Sequence, residues 1–363
     1  MKKAVVIFFA VVLVFLNIPL FSVYAEDYAE PFSEVTEELD SIFDEYDLGF
    51  GIGDISGISF GELAERLKNS VLSRINAPIK ILCAVFLVVV FSTLMKSTAS
   101  GAISKNSADI YNMVCVMTAV TVIIPQLLTV YSETLNIIEL SGRFILVFVP
   151  IFTAISVASG GFISAGVYHI MMLGASEFIV RLSESYLLPI LSVTAALAVT
   201  GSVFPNTSLD SLVNLLKKAV TWGISVTMSL FTGFVTLKCT ITGKADGVTA
   251  KTTKMLVSGF VPIVGGAVSD AYATVKGSLE VVSGTVGASG IIAVAMLILP
   301  KILELFVYRA VMWTGSAVAD IFSDDSISKL LKGIDSGLAI AQSILVCYGV
   351  MFILCSAIIM KTF

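Results

Sequence analysis

From residue 78 onward the chain alternates long apolar runs with short polar stretches. Eight runs, at 78–97, 108–131, 143–165, 185–204, 219–238, 255–275, 288–316 and 337–360, lie near the ~20 residues a helix needs to cross a bilayer. The stretch 166–183 is apolar enough that a further helical passage there would change the count. Upstream, within 59–77, Leu63, Leu67, Val71 and Ile75 recur every four residues while Glu65, Arg66, Lys68 and Arg74 take other faces. That pattern predicts an amphipathic helix lying on the membrane surface. The pattern as a whole predicts an all-α, polytopic membrane protein of about eight spans.

Composition agrees: 56% of the 363 residues are hydrophobic and 13% charged, against about a quarter charged in soluble domains. The five cysteines form no CxxC pair and no Cys/His cluster, so neither a zinc site nor a disulfide framework is expected. At the N-terminus Lys2 and Lys3 precede an apolar Ala4–Leu16 stretch and a small-residue site at Val23-Tyr24-Ala25, a secretory signal over 1–25. An uncleaved anchor is the alternative. Either way residue 26 starts on the far side of the membrane.

Charge divides the chain. Residues 26–65 hold thirteen acids and no Lys or Arg, which suits an exported acidic segment over 26–58. The connector 238–254 carries Lys238, Lys244, Lys251 and Lys254 against Asp246 alone, and the positive-inside rule puts it in the cytoplasm. By the same count Lys96 and Lys105 fall inside, and Glu133 and Glu139 outside.

The chain also matches itself. Phe148-Val149-Pro150-Ile151 recurs as Phe260-Val261-Pro262-Ile263, and Gly174-Ala175-Ser176 as Gly287-Ala288-Ser289. Leu188-Pro189-Ile190-Leu191 returns as Leu299-Pro300-Lys301-Ile302-Leu303, and Thr200-Gly201-Ser202 as Thr314-Gly315-Ser316. The decapeptides starting at Ser208 and Ser323 also align. The matches keep their order, so after two lead-in spans (78–131) the chain reads as repeat 1 over 143–238 and repeat 2 over 255–360. Three spans per copy make the copies inverted, a design that places sites near the bilayer midplane, whereas re-entrant segments at 143–165 and 255–275 would make them parallel and put the basic connector outside.

The breakers and charges in these copies are the candidate pathway or hinge residues. Pro150 and Pro262 interrupt their spans, and Gly265 and Gly266 follow the second. Asp270, Lys276 and Glu280 come next and either line a polar path or surface in a loop. His169, Glu177 and Arg181 form a lesser cluster, in which Glu177 and Arg181 sit one turn apart and can neutralise each other. Lys301 and Glu304, with Arg309, either line a path or snorkel from a helix end. Gly57-Ile58-Ser59-Phe60-Gly61 fits a nucleophile elbow in letters only, because His169 is the sole histidine and Ser59 reads as a helix N-cap.

The order of parts resembles the stage III sporulation protein AE family of endospore-forming bacteria. The signal, the acidic VTEELDSIFDEYD and the amphipathic helix carry it, together with GFVPIVGGAVSDAYATVKGS (259–278) and LPKILELFVYRA (299–310). The resemblance implies a mother-cell complex joining a forespore protein in a channel-like apparatus across the two membranes around the forespore. Its partners would be other proteins of the stage III sporulation operon, a forespore-side ring or channel partner, membrane lipid and further copies of the chain, with no nucleic acid. It supplies no catalytic residue.

Three functions compete: a non-enzymatic channel or export subunit, a secondary transporter for a small solute, and a membrane scaffold. An enzyme is not expected, because no HExxH set and no P-loop occurs, and no cofactor or metal is implied.

Overall fold

In a membrane the backbone must satisfy its own hydrogen bonds, which leaves helices as the natural element for so apolar a chain. The computed structural model describes residues 74–99, 105–204, 209–260 and 265–362, with isolated positions between 61 and 72, and every element among them is helical. The signal peptide, the acidic segment, most of the amphipathic helix and Pro262 lie outside the described residues. The helices are α1 (Asn76–Ala99), α2 (Lys105–Ala158), α3 (Phe162–Leu182), α4 (Leu188–Val203), α5 (Leu209–Phe260), α6 (Gly265–Ile321) and α7 (Asp325–Thr362). A single π-helical turn, Ser183–Leu187, joins α3 to α4 without a break. Among the described residues six helical passages are therefore long and apolar enough to cross a membrane, where eight were expected.

The difference has a physical cause. Polar residues alone do not end a helix; an end needs a cap or a backbone breaker. The polar 132–142 stretch stays helical because Ile137, Ile138 and Leu140 turn inward, Glu139 faces out and Glu133 pairs with Lys301 of α6, so the spans expected at 108–131 and 143–165 fuse into α2. What ends α2 is Gly160, at φ +98°, with Gly160 N–H bonded to the Val157 carbonyl and Gly161 N–H to that of Ser156. The 166–183 stretch is helix as well, and the π turn makes room for Pro189, which has no N–H to give. The basic 238–254 stretch is no connector but the second half of α5. Gly277, Gly284, Gly287 and Gly290 also sit in unbroken helix.

Successive helical passages run antiparallel. Gly142 of α2 lies against Val180 of α3, and Ser164 at the start of α3 pairs with Thr242 of α5. Gly333 of α7 touches Ala198 of α4, while Gly349 packs on Ile298 of α6. Ser92 of α1 reaches Asp324, and Arg74 reaches Glu304, so α1 runs parallel to α6. It follows that α4 and α6 share one direction and α5 and α7 the other. The matched segments are thus hairpins of the same orientation, and the expected inversion is not present. Each copy holds two full passages rather than three, because 143–158 belongs to α2 and 265–275 to α6. Lys96 and Lys105 lie at one end of the bundle and Lys244 and Lys251 at the other, so these lysines cannot all mark one membrane side.

The α6–α7 hairpin is the buried centre. Phe144, Phe148 and Phe152 stack along α2 at 5.4 and 5.8 Å, and Phe352 of α7 meets the first two edge-on at 6.4 and 5.9 Å. Gly290 makes that approach possible: a Cβ there would stand 2.1 Å from the Phe148 ring. Small residues at membrane helix contacts let backbones come this close. Replacing Gly290 with alanine should destabilise the protein by about 1–3 kcal/mol, seen as a lowered thermal midpoint in detergent. Gly284→Ala, whose Cβ meets nothing within 4 Å, should be neutral or stabilising by up to about 1 kcal/mol.

Candidate functional site

An ammonium or carboxylate is stable inside a packed bundle only if partners surround it. Helix α6 carries such groups along its buried length. Lys301, 1% exposed, follows Pro300 and donates from Nζ to Glu133 Oε2 of α2 at 2.5 Å and to Glu304 Oε1, one turn on, at 3.2 Å. Glu304 Oε2 accepts from Arg74 Nη1, just ahead of α1, at 3.2 Å. Four alternating charges thus tie α1, α2 and α6 together in a neutral chain, Glu133–Lys301–Glu304–Arg74. A cleft of about 580 Å³ opens onto it, lined by Arg74, Lys80, Gln126, Glu133, Glu304 and Tyr308, and Gln126 Oε1 is buried there with no partner.

A second cluster lies one to two turns further along α6. Arg309 donates from Nε to Asp335 Oδ1 of α7 at 2.8 Å and from Nη1 to Gln342 Oε1 at 2.7 Å, with its guanidinium 5.3 Å from the Trp313 ring. Lys217 of α5 closes on Asp335 Oδ2 at 3.7 Å. The Tyr131 hydroxyl is buried beside Gly337, whose missing Cβ would stand 2.4 Å away, and it has no hydrogen-bond partner.

A third set holds the far end. The Asp246 carboxylate accepts from the N–H groups of Ile163 and Ser164 at 3.0 and 2.9 Å, capping α3 from another helix. An acid at a helix N-terminus also meets the positive end of the helix dipole.

The expected residues separate on this frame. Lys301 and Glu304 are buried in the relay and do not snorkel. Lys276 and Glu280 pair with each other at 3.4 Å, half-buried, beside the Gly160 turn. Glu177 and Arg181 form an exposed ion pair at 2.5 Å, as their spacing suggested. His169 Nδ1 shares a hydrogen bond with Thr153 Oγ1 at 3.3 Å. Pro150 stays within α2 and is exposed, so it does not break the helix, and Gly265 and Gly266 begin α6. Asp270 falls in the first turns of α6, and its side chain is outside the described residues. The structure therefore does not gather these positions into one site. Sequence reasoning missed Glu133, Asp246, Asp335 and Lys217, each of which finds its partner on a different helix. Among the described residues no three His, Cys, Asp or Glu cluster as metal ligands.

Nothing in these clusters pairs a nucleophile with a base. They cross-brace helices, and Lys301 bonds two carboxylates at once.

A bundle of six long apolar helices with buried ion pairs defines a multi-pass helical membrane protein. Over residues 51–362 it matches the family described as stage III sporulation protein AE, and the chain belongs to that family, which gives it a role in sporulation. It is 25% identical over 261 residues to the stage III sporulation protein AE of Bacillus subtilis (strain 168), a match covering 70% of this chain and 64% of that protein. The chain thus spans a little under two thirds of that relative's length. No solved structure matches it.

Lys301→Met should cost about 3–5 kcal/mol, because it removes the buried cation of Glu304 and leaves it only the half-exposed Arg74. Lys301→Met with Glu304→Gln should recover much of that loss. Thermal unfolding of the purified single and double variants checks this, and additive losses would refute the coupling.

Proposed function

We propose that this chain is a non-enzymatic, multi-pass membrane subunit of a channel or export-like complex linking mother cell and forespore during endospore formation. The family supplies the sporulation role. The observation that carries the rest is a filled interior. Tyr131, Phe144, Phe152, Tyr168, Lys301 and Phe352, all under 2% exposed, occupy the middle of the bundle. A conduit built from such a chain has its path between chains, with outer helix faces as walls. That arrangement calls for partners, namely the other stage III operon proteins and a ring on the forespore side. The protein then sits in the mother-cell membrane around the forespore, with its mature N-terminus in the intermembrane space. Energy comes from a partner or an ion gradient.

The cleft beside Glu304 favours a second reading, a secondary transporter whose mixed charges hold a small solute. One experiment separates the two. Tagged full-length chain, purified in mild detergent from sporulating cells and imaged, should appear in a multi-protein assembly whose polar path runs between chains. A monomer that alone drives solute uptake into proteoliposomes, and loses it on Glu304→Gln, would sink the conduit reading.

A further inference from the structure

The outer surface of the α2–α3 pair changes character at one level. On α2 the exposed residues are apolar at Ile110, Met113, Val114, Met117 and Leu128 and again at Leu146, but Glu139 and Arg143 stand exposed between them. On α3 the exposed Phe162, Ile163 and Ile170 give way to Glu177, Arg181 and Glu184, and apolar exposure resumes at Leu188 and Val193 on α4. The two interruptions are side by side. A Cβ on Gly142 would stand 2.6 Å from Val180 Cγ2 and 3.8 Å from Ser176 Oγ. Three acids and two bases therefore share one patch, in company with Phe178 and Tyr186, which are 55% and 62% exposed.

The patch lies inside both apolar segments, which at 46 and 42 residues are longer than a bilayer is thick. Arg143 lies 15 residues from the end of the apolar 113–158 segment, and Glu177 lies 15 from the start of 162–203, about 22 Å in each case. Charges inside an apolar span avoid lipid and face protein or water. Helix α5 offers the contrast: it has no charge from Ala219 to Leu237 and exposes Trp222, Leu230 and Phe234, a face suited to acyl chains.

We infer that the α2–α3 patch docks against the same patch of a second copy of this chain. A surface carrying both signs is its own complement under a two-fold rotation, which sets the arginines of one copy against the glutamates of the other. A partner of uniform charge would be repelled by part of the patch. Arginine and exposed aromatics are also what protein interfaces concentrate. The inference goes beyond the conduit reading and does not depend on it, since a scaffold or a transporter could pair in the same way.

The test co-expresses full-length chains with two different tags and asks whether one tag recovers the other from mild detergent. Wild-type copies should co-purify. Arg143→Glu with Arg181→Glu makes the patch wholly acidic, and Glu139→Arg with Glu177→Arg makes it mainly basic. Each double variant alone should lose co-purification by about tenfold or more, the loss that 1.4 kcal/mol of repulsion produces. Co-expressing the acidic with the basic variant should restore it, which also shows that both fold. Wild-type chains that do not co-purify would overturn the inference, as would variants that self-associate like wild type or that stay apart when combined. Recovery of a different membrane protein in place of the second copy would assign the patch to that partner instead.

Discussion

The buried ammonium of Lys301 sets the terms for the helices around it. A cation moved from water into a packed, apolar bundle loses several kcal/mol of hydration free energy, and only close, well-placed carboxylates offset that loss. Glu304 comes with Lys301 on the same helix, one turn away. Glu133 must be brought by α2, and α2 can bring it only at the register where Phe148 also meets Gly290. Glu304 keeps one oxygen for Arg74, so α1 enters the bundle at that height too. One charge thus constrains the axial positions of three helices.

Apolar packing in lipid sets register only weakly, because one greasy contact is much like the next. Specific register comes from features that tolerate no sliding, such as a glycine facing a ring or a hydroxyl facing a hydroxyl. The α3–α7 contact has both kinds of hydroxyl pair, Tyr168 with Ser356 at 3.1 Å and Ser176 with Tyr348 at 2.7 Å. These two pairs keep the same antiparallel stagger over eight residues of each helix. Beyond the π turn, Gly333 against Ala198 shifts that stagger by several residues.

The helical class and the membrane setting were legible in the sequence because they rest on composition summed over long windows. Segment ends were not, and the reason is local. Ser132, Glu133 and Glu139 look like a loop when counted as polar letters, yet their spacing leaves Ile137, Ile138 and Leu140 on an inward face. Gly160 and Gly161, inside an expected span, are what turn the chain. For the site, Lys301 and Glu304 stood out as charges within an apolar run, and burial makes them matter. Glu133, Asp335 and Asp246 could not be chosen in advance, since their meaning depends on which helix lies opposite.

The orientation of the two matched hairpins bears on how such a protein could conduct anything. Inverted copies place equivalent half-sites on both sides of a midplane, and alternating access follows from rocking one against the other. Copies of one orientation have no such symmetry to exchange. Here α4–α5 and α6–α7 point the same way but are unequally buried, the second forming the centre while α5 lies largely exposed at the edge. The matched segments sit in different surroundings, with α6–α7 holding the core and α5 presenting surface. Any path would then follow from how exposed faces are paired, and the two most different faces are the uncharged stretch of α5 and the charged level of α2–α3.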